Sequence, residues 1–209
     1  MALKAKNAAQ LQQLAALADT PQEQTAFAIK LLEGECNFQV VQAAVEALSE
    51  YPPAEAREPL LHCYEHFSAS SDSGAYVRVA ILRALRPLVR PTDTELLVRA
   101  TMTYEFAPPG RSEIAAPLRS AALLALHEID GDLAAYHCVR LLTDEHTSKM
   151  SGEPAVTAAR VLAAQGQLLP LYAYCIDYHK FDERHQSSDA LAECIRNLTG
   201  APASIANAI

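Results

Sequence analysis

Tryptophan is absent from this 209-residue chain, and glycine occurs only 7 times. The first absence removes the largest stacking side chain from any site that handles nucleotide bases, and the second disfavours a sheet fold built on many tight turns. No uninterrupted apolar stretch has the length needed to cross a bilayer as a helix. Two lysines lie among the first 20 residues, but Asn7, Gln10, Gln12 and Gln13 interrupt what would have to be the apolar centre of a signal peptide. Basic charge is also short. With 17 Lys and Arg against 25 Asp and Glu, the net charge is −8, which argues against a protein that covers a phosphate backbone. The five cysteines, Cys36, Cys63, Cys138, Cys175 and Cys194, are dispersed and contain no C-x-x-C pair. They fit reduced thiols in a cytoplasmic protein better than a disulfide framework. Phosphate-binding glycine loops and nucleophile elbows are missing from the sequence as well.

What the chain does contain is a nine-residue pattern in five copies: VVQAAVEAL (Val40 to Leu48), VRVAILRAL (Val77 to Leu85), LRSAALLAL (Leu118 to Leu126), PAVTAARVL (Pro154 to Leu162) and ALAECIRNL (Ala190 to Leu198). Their starts are 37, 41, 36 and 36 residues apart, a period that predicts stacked helical hairpins. Within each copy the apolar and small residues fall at positions 1, 5, 8 and 9, one stripe of a helix. A small residue at position 5 lets a neighbouring helix approach closely, and the leucine at position 9 fills the layer between them.

Each of these B helices is preceded by an apolar, helix-favouring A segment: residues 22–32, 54–67, 93–104, 132–142 and 168–178. An amphipathic helix over Leu3 to Ala18 is expected to cap the first pair. Thr20 with Glu23 and Thr92 with Glu95 have capping-box spacing, while Pro117 and Pro154 fall at B-helix starts. Gly200 marks the expected end of the last helix. The expected organisation is one domain over residues 1–209, with a capping helix in 1–20, five pairs in 21–200 and a tail in 201–209. Strands of consequence are not expected. Four A-to-B connections are long and polar: Ser68 to Ala75, Phe106 to Ala116, Thr143 to Glu153 and Phe181 to Ser187. Equivalent connections in a hairpin stack emerge along one edge, where they serve either as a binding rim or as passive loops.

The repeat core V-R-x-x-[AI]-x-x-A-L, best preserved at Val77 to Leu85 and Leu118 to Leu126, resembles the HEAT family, especially the short bacterial form named for phycobilisome lyases. The similarity covers roughly residues 21–200. It implies an all-α, right-handed α-α superhelix whose B helices line a concave surface, and hence a groove carrying Arg78, Arg83 and Arg119. The charge distribution points to the same stretch. Seven arginines lie between Arg78 and Arg119 against four acids. Arg78, Arg83, Arg86, Arg111 and Arg119 are therefore the candidate partner-binding residues, and an acidic segment is a candidate partner.

His62, Glu65 and His66 spell H-x-x-E-H, in which two histidines one helical turn apart can grip a metal while the glutamate activates water. No third ligand follows at a recognisable spacing, and the apolar stripe Leu60, Leu61, Tyr64 and Phe67 turns both histidines outward. His127 with Glu128 is a single His-Glu pair, whereas di-iron HEAT-like hydroxylases repeat such pairs. Tyr174 and Tyr178 share a helix face and are read as core packing rather than as an aromatic anchor. These readings favour a protein-interaction scaffold with no cofactor, no nucleic acid and no membrane. A metal-dependent enzyme or a chromophore or small-ligand binder on the same framework is the alternative.

Overall fold

The computed structural model describes residues 2–34, 37–48, 52–68, 70–109, 112–180 and 186–199, with side chains from residue 5 onward. The helices are α1 (Ala2–Ala16), α2 (Pro21–Leu32), α3 (Phe38–Ala47), α4 (Arg57–His66), α5 (Tyr76–Leu85), α6 (Thr94–Thr101), α7 (Ala116–His127), α8 (Gly131–Leu142), α9 (Ala155–Ala164), α10 (Leu169–Asp177) and α11 (Ser188–Leu198). Short 3-10 turns precede α4 and α6 and follow α5 and α10. The chain is thus all-α in class. Each of the five pattern copies lies on a helix, each A segment forms another, and α1 occupies the expected amino-terminal position. No helix among the described residues is long and apolar enough to cross a membrane.

Contacts group the chain into two compact units, Met1–Val89 and Arg90–Ile209, which divide it between the second and third pairs. In the first unit α3 packs on α1, α2 and α5, and α4 packs on α2 and α5. In the second, α7, α9 and α11 form a layer in which α9 touches both neighbours; α8 lies on α7 and α9, and α10 on α9 and α11.

The pattern explains this packing. All five fifth-position residues, Ala44, Ile81, Ala122, Ala158 and Cys194, have no exposed surface. The ninth-position leucines Leu48, Leu85, Leu126, Leu162 and Leu198 are buried beside them. Small side chains bring the helices close, and the leucines seal the layer. The seventh position is the outward ridge: Glu46, Arg83, Arg160 and Arg196 are exposed, and Leu124 is half-buried.

The helix starts differ from the sequence expectation in an instructive way. Asn37, Asp130 and Ser187 cap α3, α8 and α11 with their own side chains. Thr20 does not cap α2; its hydroxyl donates to the Leu17 carbonyl. Nor does Thr92 close a box with Glu95, because it lies inside the 3-10 turn Pro91–Asp93, where the Asp93 carboxylate accepts from the Arg90 amide at 2.8 Å. Pro87 continues α5 as a 3-10 turn. Gly200 and the tail 201–209 lie outside the described residues. The long connection before α7 contains a small antiparallel ladder, β1 (Phe106–Ala107) with β2 (Ser112–Glu113), pairing Phe106 with Glu113.

Candidate functional site

The long A-to-B connections before α5, α7 and α9 span residues 67–75, 102–115 and 143–154, close to the expected bounds, and residues 181–185 of the fourth lie outside the described residues. In the connections before α5, α7 and α9, a loop carboxylate turns back onto the helix that follows.

Asp72 is the simplest case. Its Oδ1 accepts from the Val77 amide at 3.1 Å and its Oδ2 from the Arg78 amide at 3.0 Å, replacing the cap that Ala75 at the helix start cannot provide. The Arg78 side chain then closes the arrangement, with Nε 3.1 Å from Asp72 Oδ2 and Nη2 donating to the Asp72 carbonyl at 2.9 Å. Both residues are buried.

Glu113 and Arg119 repeat this relation at the same six-residue separation. Glu113 Oε1 accepts from the Ala115 amide at 2.7 Å, and its carboxylate meets Arg119 at 2.9 and 3.1 Å. Arg119 has no exposed surface. Its remaining donors reach further: Nη1 donates to the Thr103 carbonyl at 3.0 Å and Nη2 to the His146 carbonyl at 3.4 Å. Nε lies 3.2 Å from Asp144 Oδ2, close enough for charge attraction though not aligned as a hydrogen bond. One side chain therefore holds both the 102–115 and the 143–154 connections.

Tyr104 supports this centre. The Arg119 guanidinium lies 4.2 Å from its ring centroid, and the phenol donates to Asp144 at 3.0 Å while accepting from Arg140 at 3.1 Å. Burial, and then the neighbouring Asp144 charge, push the phenol above its ordinary pKa. Arg140 also donates to the Thr101 carbonyl at 2.7 Å, and the Thr101 hydroxyl meets His137 Nδ1 at 3.1 Å. Two guanidinium groups and the Glu113 and Asp144 carboxylates balance within the cluster.

Outward from Arg119 runs an aromatic series. Tyr104 and His146 meet edge to face at 5.5 Å, and His146 and Phe106 at 5.1 Å. Phe106 is 47% exposed. Met150, on the same connection as His146, is 96% exposed. The outer end of the series is the exposed Phe106 ring, on a strand paired with β2.

The arginine expectation is corrected accordingly. Arg78 and Arg119 cannot line an open groove, because their guanidinium groups are buried against Asp72, Glu113 and Asp144. Arg83 and Arg86 are exposed, and Arg111 lies outside the described residues. The signal missed in the sequence is an acid six residues before the second-position arginine, present in copies two and three. On the outward ridge Arg160 and Arg196 both pair with the buried carboxylate of Glu193, which Arg160 first, with further help from Asn197 and Arg196, holds below its ordinary pKa.

His62, Glu65 and His66 are exposed on α4, while Cys63 joins Leu60 and Phe67 on its buried side. No group of three or more His, Cys, Asp or Glu suited to a metal ion comes together among the described residues. His127 Nδ1 meets Gln165 Nε2 at 2.9 Å, and the same amide donates to the Gly131 carbonyl, tying the ends of α7 and α9 to the start of α8. Tyr174 is buried and meets Tyr178 edge to face at 5.9 Å. Burial pushes the Cys138 thiol up to about 12, so it is protonated at neutral pH and a poor nucleophile. No protein-family model, curated protein or solved structure matches the chain.

Proposed function

We propose that the chain is a non-catalytic protein-interaction module, a right-handed HEAT-like α-α superhelix that engages a protein partner along its A-to-B connections. The observation that carries this reading is the fastening of two long connections to one buried arginine. Ordering a loop costs conformational entropy, and a loop already ordered does not incur that cost when a partner binds. Phe106, backed by His146 and Tyr104, and the neighbouring connection bearing Met150 offer aromatic and methionine side chains of the kind enriched where partners meet. The partner has an apolar side chain to set against Phe106 and His146. An acidic segment is a weaker candidate, since Arg78 and Arg119 are engaged internally and only Arg83 and Arg86 of the described set are exposed.

Affinity capture from native lysate with the tagged full chain, followed by mass spectrometry, tests the reading when run beside a Phe106→Ser, Met150→Ser variant and an Arg83→Glu, Arg86→Glu variant. Loss of the same captured protein with the first pair, with the helical circular-dichroism signal intact, supports the rim; an interface anchor of this kind is worth about 2 kcal/mol, roughly 30-fold in affinity. Equal capture by the first variant removes the rim. Selective loss with the second transfers the site to the exposed arginines.

A further inference from the structure

His137 on α8 is 4% exposed, and its Nδ1 meets the Thr101 hydroxyl at 3.1 Å. A hydroxyl carries one proton, and Thr101 Oγ1 donates its own to the Val98 carbonyl at 2.8 Å. Toward His137 the hydroxyl is therefore the acceptor. The neutral ring then carries its proton on Nδ1, and Nε2 is the nitrogen at which a second proton binds. Arg140 follows three residues later on the same face of α8. It reaches the same threonine, donating to the Thr101 carbonyl at 2.7 Å and to the Tyr104 hydroxyl at 3.1 Å. The last residue of α6 is thus held by an imidazole at its side chain and by a guanidinium at its carbonyl.

The other charges on the elements around His137 are engaged elsewhere. On α7, Arg119 meets Glu113 and Asp144, and His127 meets Gln165. On α9, Arg160 pairs with Glu193, and on α6, Glu95 and Arg99 pair at the surface. Asp132 on α8 is exposed, the Cys138 thiol is protonated at neutral pH, and Tyr136 meets the His137 ring edge to face at 5.2 Å.

We propose that His137 is an acid-sensitive release for the 102–115 connection: protonation at Nε2 drives Arg140 off Thr101 and Tyr104. Two cations then converge on one threonine, and Arg140 is the one that yields. The imidazole is buried, whereas Arg140 is half-buried and its long side chain can turn its head to water. Tyr104 keeps Asp144 and Arg119 but loses its tie to α8, so the ring behind His146 and Phe106 is less firmly held. A proton that binds more tightly once Arg140 has left favours, by the same amount, the state in which it has left. Release and protonation therefore share one midpoint. That midpoint lies below the ordinary 6.5, because burial first and Arg140 second oppose the charged ring. The release acts on the connection itself, whether or not a partner binds there.

Methyl NMR on the folded full chain with isotope-labelled methionine tests the release, since Met102 directly follows Thr101 and is 57% exposed. Between about pH 7.5 and about pH 5 the Met102 signal, assigned with Met102→Leu, should move with the same midpoint as the His137 ring signal. His137→Gln should hold Met102 at its neutral position throughout. Arg140→Gln has no cation to release; it should raise the His137 midpoint toward the ordinary value and leave Met102 insensitive to pH. Because Arg140 is half-buried, that variant carries the comparison should His137→Gln fail to fold. A His137 ring that does not titrate in this range, a Met102 signal that stays still while it does, or a His137 midpoint unmoved by Arg140→Gln would each overturn the proposal. So would Met102 movement that survives His137→Gln, and its loss in His146→Gln would assign it to the imidazole behind Phe106.

Discussion

Glu113 holds Arg119 from six residues upstream, with guanidinium nitrogens 2.9 and 3.1 Å from its two carboxylate oxygens. The pair is buried, and Asp144 shares the cation. Such a centre contributes little as an ion pair alone, because desolvating the charges offsets most of their attraction. Its importance lies in what happens when one member is removed.

Arg119→Met keeps most of the volume but leaves Glu113 and Asp144 facing each other in a buried site. The expected loss of stability is about 3–5 kcal/mol, read as a lower urea midpoint. Arg78→Met should cost less, since Asp72 keeps its hydrogen bonds from the Val77 and Arg78 amides. Equal losses would show that the shared hold on two connections adds nothing.

Gly152 and Gly166 separate backbone strain from crowding. Both have positive φ, +68° and +72°, where an L side chain costs roughly 1 kcal/mol. A Cβ at Gly166 meets nothing within 4 Å, whereas one at Gly152 stands 2.6 Å from Val156 Cγ2 and 2.8 Å from Asp189 Cβ. Gly166→Ala should therefore show only the backbone cost, and Gly152→Ala should lower the thermal midpoint substantially further.

The fold was legible because it rests on a periodic stripe, and periodicity survives in a single sequence. Ala122 and Leu126 are buried where the pattern puts them. The site was less legible because a charged side chain reads as solvated unless its partner is known. Arg78 and Arg119 resemble Arg83 in the sequence; only the folded connection, which returns Asp72 or Glu113 to the helix start, separates them. The Thr92–Glu95 box failed for a related reason, since Thr92 lies inside the 3-10 turn that forms and Asp93 takes the Arg90 amide there.

Acid should weaken the second unit through His137. Its burial, with the Arg140 charge acting in the same direction, lowers its pKa below the ordinary value of about 6.5. Between the lowered value and about 6.5 the unfolded chain binds a proton that the native chain refuses, so stability falls as pH drops through that window and is unaffected above it. Glu193 acts in the same direction only at lower pH, its contribution being present above the ordinary carboxylate range and lost as pH falls through its lowered pKa. Urea midpoints at about pH 7.5 and about pH 5.5 should therefore differ in the native sequence and differ less in His137→Asn. An unchanged difference would place the acid sensitivity elsewhere.

The acid–arginine relation also bears on how such a chain lengthens. Asp72 with Arg78, and Glu113 with Arg119, each join one pattern copy to the connection that leads into it. A duplication that carries a copy with its leading connection therefore carries both halves of the latch, and the daughter segment inherits a working helix start without waiting for a compensating change elsewhere.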